Sequence, residues 1–124
     1  MNLKDIMNLR KTFTKRGSAV ISIKLALKII RFKKETEAEA EVYRERYTRI
    51  LNDCARIGED GNFVFADDGC ILLKPERAED FRIRMQELNE AETDSSIDLT
   101  EEDLSELKLT LNEMEEINEM ILRG

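Results

Sequence analysis

The groups in this chain able to do chemistry are two thiols, Cys54 and Cys70, and 27 carboxylates; there is no histidine. Absence of histidine removes the commonest general base and every Ser–His or Cys–His arrangement. The two cysteines form no metal-binding spacing, and a zinc site would need Asp or Glu to complete it. Two free thiols are the expectation for a cytosolic chain. The acidic turns Asp60-Gly61-Asn62 and Asp67-Asp68-Gly69 invite comparison with a calcium loop. Yet Phe63, Val64 and Phe65 fall where alternate oxygen ligands are needed, so ordinary turn chemistry accounts for them. Carboxylates are too numerous for any two to identify an acid–base pair. The expectation is a protein that is not an enzyme, with no catalytic residues, no metal and no cofactor.

Charge is divided along the chain. Residues 1–34 carry ten Lys/Arg and one acid, a balance of +9; residues 35–124 carry a balance of −16, for a net −7. Such a dipole bears on partners and assembly rather than on fold. No run reaches the roughly 18 apolar residues of a membrane span. Lys4, Asp5, Arg10 and Lys11 interrupt any apolar leader. No membrane contact and a cytoplasmic location are the expectations.

These groups must be positioned by helices, because one Pro and five Gly leave few interruptions. Leu3, Ile6, Met7, Leu9 and Phe13 predict an amphipathic helix over 3–13, with Gly17 as a left-handed cap and Ser18 capping the next helix. That next helix is predicted over about 19–56. Val20, Ile23, Leu27 and Ile30 form one stripe, and Tyr43, Tyr47, Ile50, Cys54 and Ile57 a second. The charged stretch 31–41 between them predicts a solvated middle, with Ala38 and Ala40 among its few apolar residues. At about 1.5 Å per residue such a helix would be roughly 57 Å long, so it either kinks or elongates the molecule. Phe63–Phe65 and 70–73, around Asp67-Asp68-Gly69, predict a β-hairpin. Pro75 opens a helix over 76–91, with Phe81, Met85 and Leu88 inward. Thr100/Asp103 and Thr110/Glu113 have capping-box spacing. Residues 97–99 and 107–109 alternate as short strands. The last helix, 111–122, carries Leu111, Met114, Ile117, Met120 and Ile121 on one side. No internal repeat is evident.

Two charged faces are candidate sites. The basic one comprises Lys15, Arg16, Lys24, Lys28, Arg31, Lys33 and Lys34. Its helix–turn–helix outline could meet phosphates, but the acidic remainder would repel a nucleic-acid backbone, and Phe13 and Phe32 are too isolated to stack bases. Direct nucleic-acid contact is therefore disfavoured. The plainer alternative pairs this segment with the acidic remainder, within or between chains. The acidic face comprises Glu87, Glu90, Glu92, Asp94, Asp98, Glu101, Glu102, Asp103 and Glu106. It could compete for a basic channel as phosphates do, or simply solubilise.

The arrangement resembles a family of small proteins encoded by phages and prophages of Gram-positive bacteria, of unknown function. The likeness rests on the short first helix, the basic stretch 15–34, Tyr43-x-x-x-Tyr47, the Gly/Asp hairpin Glu59 to Lys74 and the helix after Pro75. The tail Leu107-Lys108-Leu109-Thr110-Leu111 before a terminal helix with Ile117-x-x-Met120-Ile121 completes it. Met114 and Met120 stand where the family's usual aromatic would be. The resemblance implies a phage or mobile-element origin and brings no catalytic residues.

The expected fold is α+β, mainly helical, one long helix packed with three shorter helices and a small β-hairpin. It forms a single domain, 1–124, made of a helical arm (1–57), a hairpin (58–75) and an acidic helical tail (76–124). The expected function is non-enzymatic binding of a host or phage protein in the host cytoplasm, in its concrete form as an inhibitor of a nucleic-acid-handling or defence complex. A structural or assembly role in the particle is the alternative, and a DNA-binding regulator the second. A homo-oligomer stays open, because Val20, Ile23, Leu27 and Ile30 could serve an interface as readily as a core.

Overall fold

The computed structural model describes residues 1–16 and 20–123, with side chains through Met120. The predicted caps Gly17 and Ser18 and the side chain of Ile121 lie outside the described residues. Six helices follow in order: α1 Leu3–Arg16, α2 Ile23–Glu35, α3 Glu37–Cys54, α4 Ala78–Glu90, α5 Glu101–Leu107 and α6 Leu111–Arg123. The molecule is mainly helical.

Helix α1 is the hub. Asn2 caps it, its Oδ1 accepting the Asp5 amide at 2.8 Å. Its stripe Leu3, Ile6, Leu9 and Phe13 is buried. Each such side chain is worth about 1.5–3 kcal/mol relative to exposure. α1 packs against α3, α4 and α6, and α3 packs on α4.

The predicted single helix over 19–56 is two helices. α2 begins at Ile23 behind Ser22, whose hydroxyl accepts the Leu25 amide at 3.2 Å. The break falls at Thr36, with φ −104° and ψ 9°. Thr36 is fully buried, and its hydroxyl donates to the Phe32 carbonyl at 2.7 Å. Arg10 of α1 clasps this joint. One Nη1 donates to the Lys33 carbonyl (2.8 Å) and the Thr36 hydroxyl (3.0 Å), and Nη2 to Glu37 (2.8 Å). The predicted solvated middle is corrected too. Phe32, Thr36 and Ala40, one turn apart, point inward and are buried, while Ala38 is exposed.

The expected hairpin does not form a ladder, and the chain builds no sheet among the described residues. Instead three extended segments make isolated antiparallel bridges, Ile57 to Phe63, Phe65 to Ile71 and Leu73 to Ala55. The backbone bonds close a ring: Val64 N–H donates to Arg56 O, Leu72 N–H to Val64 O, and Arg56 N–H to Leu72 O. Each relation recurs eight residues on, so a repeat is present after all. Gly58 N–H donates to Asn62 O and Ala66 N–H to Cys70 O, and Asp60 and Asp68 each accept the amide two residues ahead. Gly61 and Gly69 take the left-handed turn position at φ 80° and 86°, where a Cβ would be strained. The third equivalent, Arg77, instead starts a helix: Pro75–Arg77 is a 3-10 turn leading into α4. Pairing stops at single bridges because each segment turns to a different neighbour on either side.

In the tail, Phe81, Met85 and Leu88 of α4 face inward. The predicted strands at 97–99 and 107–109 are absent. Leu104 and Leu107 are core residues of α5, and Lys108 ends that helix at φ 52°, φ-positive without being glycine. Both capping boxes form, Thr100 with Asp103 and Thr110 with Glu113. Leu111, expected inward, is exposed, while Ile117 and Met120 are buried.

Candidate protein-docking site

Helix α2 carries apolar side chains on two sides, and it turns only one of them to the core. Leu25, Ile29 and Phe32 are buried, and Phe32 meets Phe13 edge-on, with ring centroids 5.7 Å apart. Of the predicted stripe, Ile23, Leu27 and Ile30 face outward with exposures of 80%, 53% and 51%, while Val20, 102% exposed, lies in a bend ahead of the helix and not on it. The stripe is therefore not core. Helical spacing puts Lys34 on the same side and Lys24 and Arg31 along its edge. Beside the stripe lies a cleft of about 370 Å³ lined by Phe13, Ile21, Ala26, Ile29, Ile30 and Lys33.

The basic residues divide into staples and free charges. Lys28 Nζ lies 2.6 Å from buried Asp103 and also donates to the Asp98 carbonyl. Burial alone would raise the Asp103 carboxyl, but Lys28 and Thr100 more than offset this and hold it below the usual aspartate range. Arg16 pairs with Glu113 at 2.8 Å. This guanidinium, helped by Thr110, holds the Glu113 carboxyl down at about 2. Pairing of the basic segment with the acidic remainder thus occurs within the chain. Lys33 Nζ donates to the Thr14 hydroxyl at 3.1 Å. Lys15, Lys24, Arg31 and Lys34 are exposed and have no ion-pair partner among the described residues.

The acidic residues divide likewise. Asp103 and Glu106 are turned inward, Glu106 accepting both the amide (2.8 Å) and the hydroxyl (2.9 Å) of Ser22. They fasten α5 alongside α2. Glu92 lies 4.0 Å from the N-terminal amine, and Glu90 accepts from Gln86. Glu87 borders a cleft with Arg46, Arg49 and Arg84. Asp94, Asp98, Glu101 and Glu102 are exposed. The nine carboxylates therefore do not act as one surface.

A third feature escaped the sequence reading. A concavity of about 460 Å³ between α1, α2 and α3 is lined by Met7, Arg10, Lys11, Thr14, Lys15, Lys33 and Arg44. Positions 7, 11, 14 and 15 share one side of α1, a signal present in the spacing. Arg44 joins them only through the bend at Thr36.

Cys54 is buried, its Sγ 3.8 Å from Asp80 and 4.0 Å from Arg84; Cys70 is exposed, and both are free thiols. In the acidic turns Asp60 and Asp68 each accept a turn amide, and the Asn62 amide holds the Asp60 carboxyl below the ordinary range. No group of three metal-ligating side chains occurs among the described residues, and no helix among them is long and apolar enough to cross a membrane. No family model matches the chain, and neither a curated protein nor a solved structure matches it.

Proposed function

We propose that this is a non-enzymatic protein-binding protein whose docking face is the outward side of α2, and that its partner presents an apolar groove with an acidic rim. The observation that carries this is the exposed α2 stripe Ile23, Leu27 and Ile30, with exposed Val20 just ahead of it, beside the Phe13/Ile29 cleft. Large aliphatic side chains aligned on one helix face are a recognised mode of helix-in-groove docking. Charge selects the occupant. The stripe is accompanied by Lys24, Arg31 and Lys34 and no acid of α2 until Glu35, so two copies of α2 would meet with like charges opposed. An anionic membrane is disfavoured by the net −7 and by Glu101 and Glu102 on the neighbouring α5.

The test compares the wild type with Ile23→Ser/Leu27→Ser. Proteins captured from the native host by the wild type are purified and titrated against both forms. The reading expects an acidic partner whose affinity drops about a hundredfold or more with the variant, since each of the two buried aliphatics is worth roughly 1.5–3 kcal/mol. Equal affinity for both forms overturns it. So does a wild-type dimer that the variant makes monomeric, or stripe-dependent binding to anionic vesicles.

A second reading, an inhibitor working through the acidic tail, is supported by Glu101 and Glu102, exposed in the first turn of α5 without an ion-pair partner among the described residues. The resemblance to phage-encoded proteins supports a host target for either reading. Glu101→Lys/Glu102→Lys separates them: it abolishes capture under the second and spares it under the first.

A further inference from the structure

Against a molecule of net −7, the concavity between α1, α2 and α3 gathers five cations, Arg10, Lys11, Lys15, Lys33 and Arg44, with no carboxylate in its lining. Two of the five are structural. Arg10 binds the Lys33 carbonyl, Thr36 and Glu37, and Lys33 binds Thr14. The other three, Lys11, Lys15 and Arg44, are exposed and have no ion-pair partner among the described residues. Like charges gathered in one concavity repel one another, and Glu37 answers Arg10 alone; an anion would answer the rest. We infer that this concavity is an anion-binding site that takes an acidic segment of a protein partner, a run of Asp and Glu in extended or helical form.

The lining selects this ligand over nucleic acid. Met7 is its one apolar side chain, and no aromatic ring is available for a base to stack on. Three exposed cations on two helices suit carboxylates spaced along a chain. The site also adjoins the proposed docking face, since Thr14 and Lys33 line both this concavity and the apolar cleft beside the α2 stripe. The inference thus extends the proposed function, from which it takes only the presence of a protein partner. An acidic partner lying along α2 would reach both in one pass, its apolar residues on the stripe and its carboxylates against Lys11, Lys15 and Arg44.

The experiment uses a fluorescein-labelled oligoglutamate, which has no apolar groups for the stripe, and follows anisotropy at low salt. Three reagents make it decisive. Lys11→Glu/Lys15→Glu/Arg44→Glu reverses the free cations and leaves Arg10 and Lys33 at the α2–α3 joint. Lys24→Glu/Arg31→Glu/Lys34→Glu makes the same change in net charge elsewhere. Oligothymidylate of equal length presents phosphates in place of carboxylates. The first variant is expected to lose about tenfold or more in affinity and the second to stay within about twofold, with oligothymidylate no tighter than oligoglutamate. Equal losses in both variants reduce the effect to net charge and overturn the site. Absence of binding to the wild type, or tighter binding of oligothymidylate, overturns the ligand. Should the first variant fail to melt cooperatively, Lys11→Gln/Lys15→Gln/Arg44→Gln carries the same expectation. Ile23→Ser/Leu27→Ser leaves oligoglutamate binding unchanged, so failure of the stripe and failure of this site register separately.

Discussion

The two sides of α2 have nearly the same composition and opposite fates. Leu25, Ile29 and Phe32 are buried; Ile23, Leu27 and Ile30, at the same spacing, are half to fully exposed. Hydrophobicity does not separate the two sets, but their neighbours do. The inner set meets Phe13 of α1, and the helix is pinned in that rotation by Lys28 to Asp103 and by Glu106 to Ser22 on one flank and Arg10 at its end. Thus polar staples, not apolar content, decide which of the two apolar sides of α2 is core and which stays exposed.

The sharpest way to break this comparison is to empty the inner side. Phe32→Ala is expected to cost about 3–5 kcal/mol, read as a drop in the denaturant midpoint. A loss under about 1 kcal/mol would mean that α2 is not seated through this face. Next comes the staple. Asp103→Asn leaves Lys28 with a partner that is no longer charged and weakens the Thr100 cap, at an expected cost of about 2–3 kcal/mol. Lys28→Met, which removes the charge but keeps the stem, is expected to cost about the same, and the double variant less than the sum.

A smaller effect concerns the pair that anchors α6 to α1. Glu113 has its folded-state pKa depressed from 4.5 to about 2. Its contribution is therefore complete above about 4.5 and lost as pH falls toward 2. Thermal melts across that window are expected to slope more gently in Glu113→Gln than in the wild type; parallel slopes would show that the pair adds nothing. Smallest is the outer side. Ile23→Ser/Leu27→Ser is expected to move stability by no more than about 0.5 kcal/mol, although it removes two large aliphatics. A loss comparable with that of Phe32→Ala would erase the distinction between the two faces.

What the sequence made legible follows the same division. α1, α4 and α6 carry a single apolar stripe, so periodicity finds them and mostly orients them. Both capping boxes are local, and both form. α2 carries two interleaved stripes, and a periodicity argument has no means of preferring one; the choice is made by the staples from Lys28 to Asp103 and from Ser22 to Glu106, 75 and 84 residues apart in the chain. The break at Thr36 has no Pro or Gly to announce it, being held by Arg10 through three hydrogen bonds. α5 is short and ends at Lys108 in a conformation that sequence would assign to Gly. For the sites, the cations of α1 and α2 were visible as a face. Their division into staples and free charges, and the addition of Arg44, needed the bend. The eight-residue register is present as Asp60-Gly61 and Asp68-Gly69, but two copies bracketing one predicted strand, the second of them its turn, read as a hairpin until the third segment closes the ring.

That ring bears on solubility. A hairpin of this length ends in two open edges, each a template for another chain to add a strand, and apolar side chains such as Phe65 and Ile57 would make the added strand adhere. With three segments, each lending one amide and accepting one, the central donors and acceptors are all committed before any neighbour arrives. The chain can therefore leave aliphatic surface bare on α2 without these three segments also offering a strand edge.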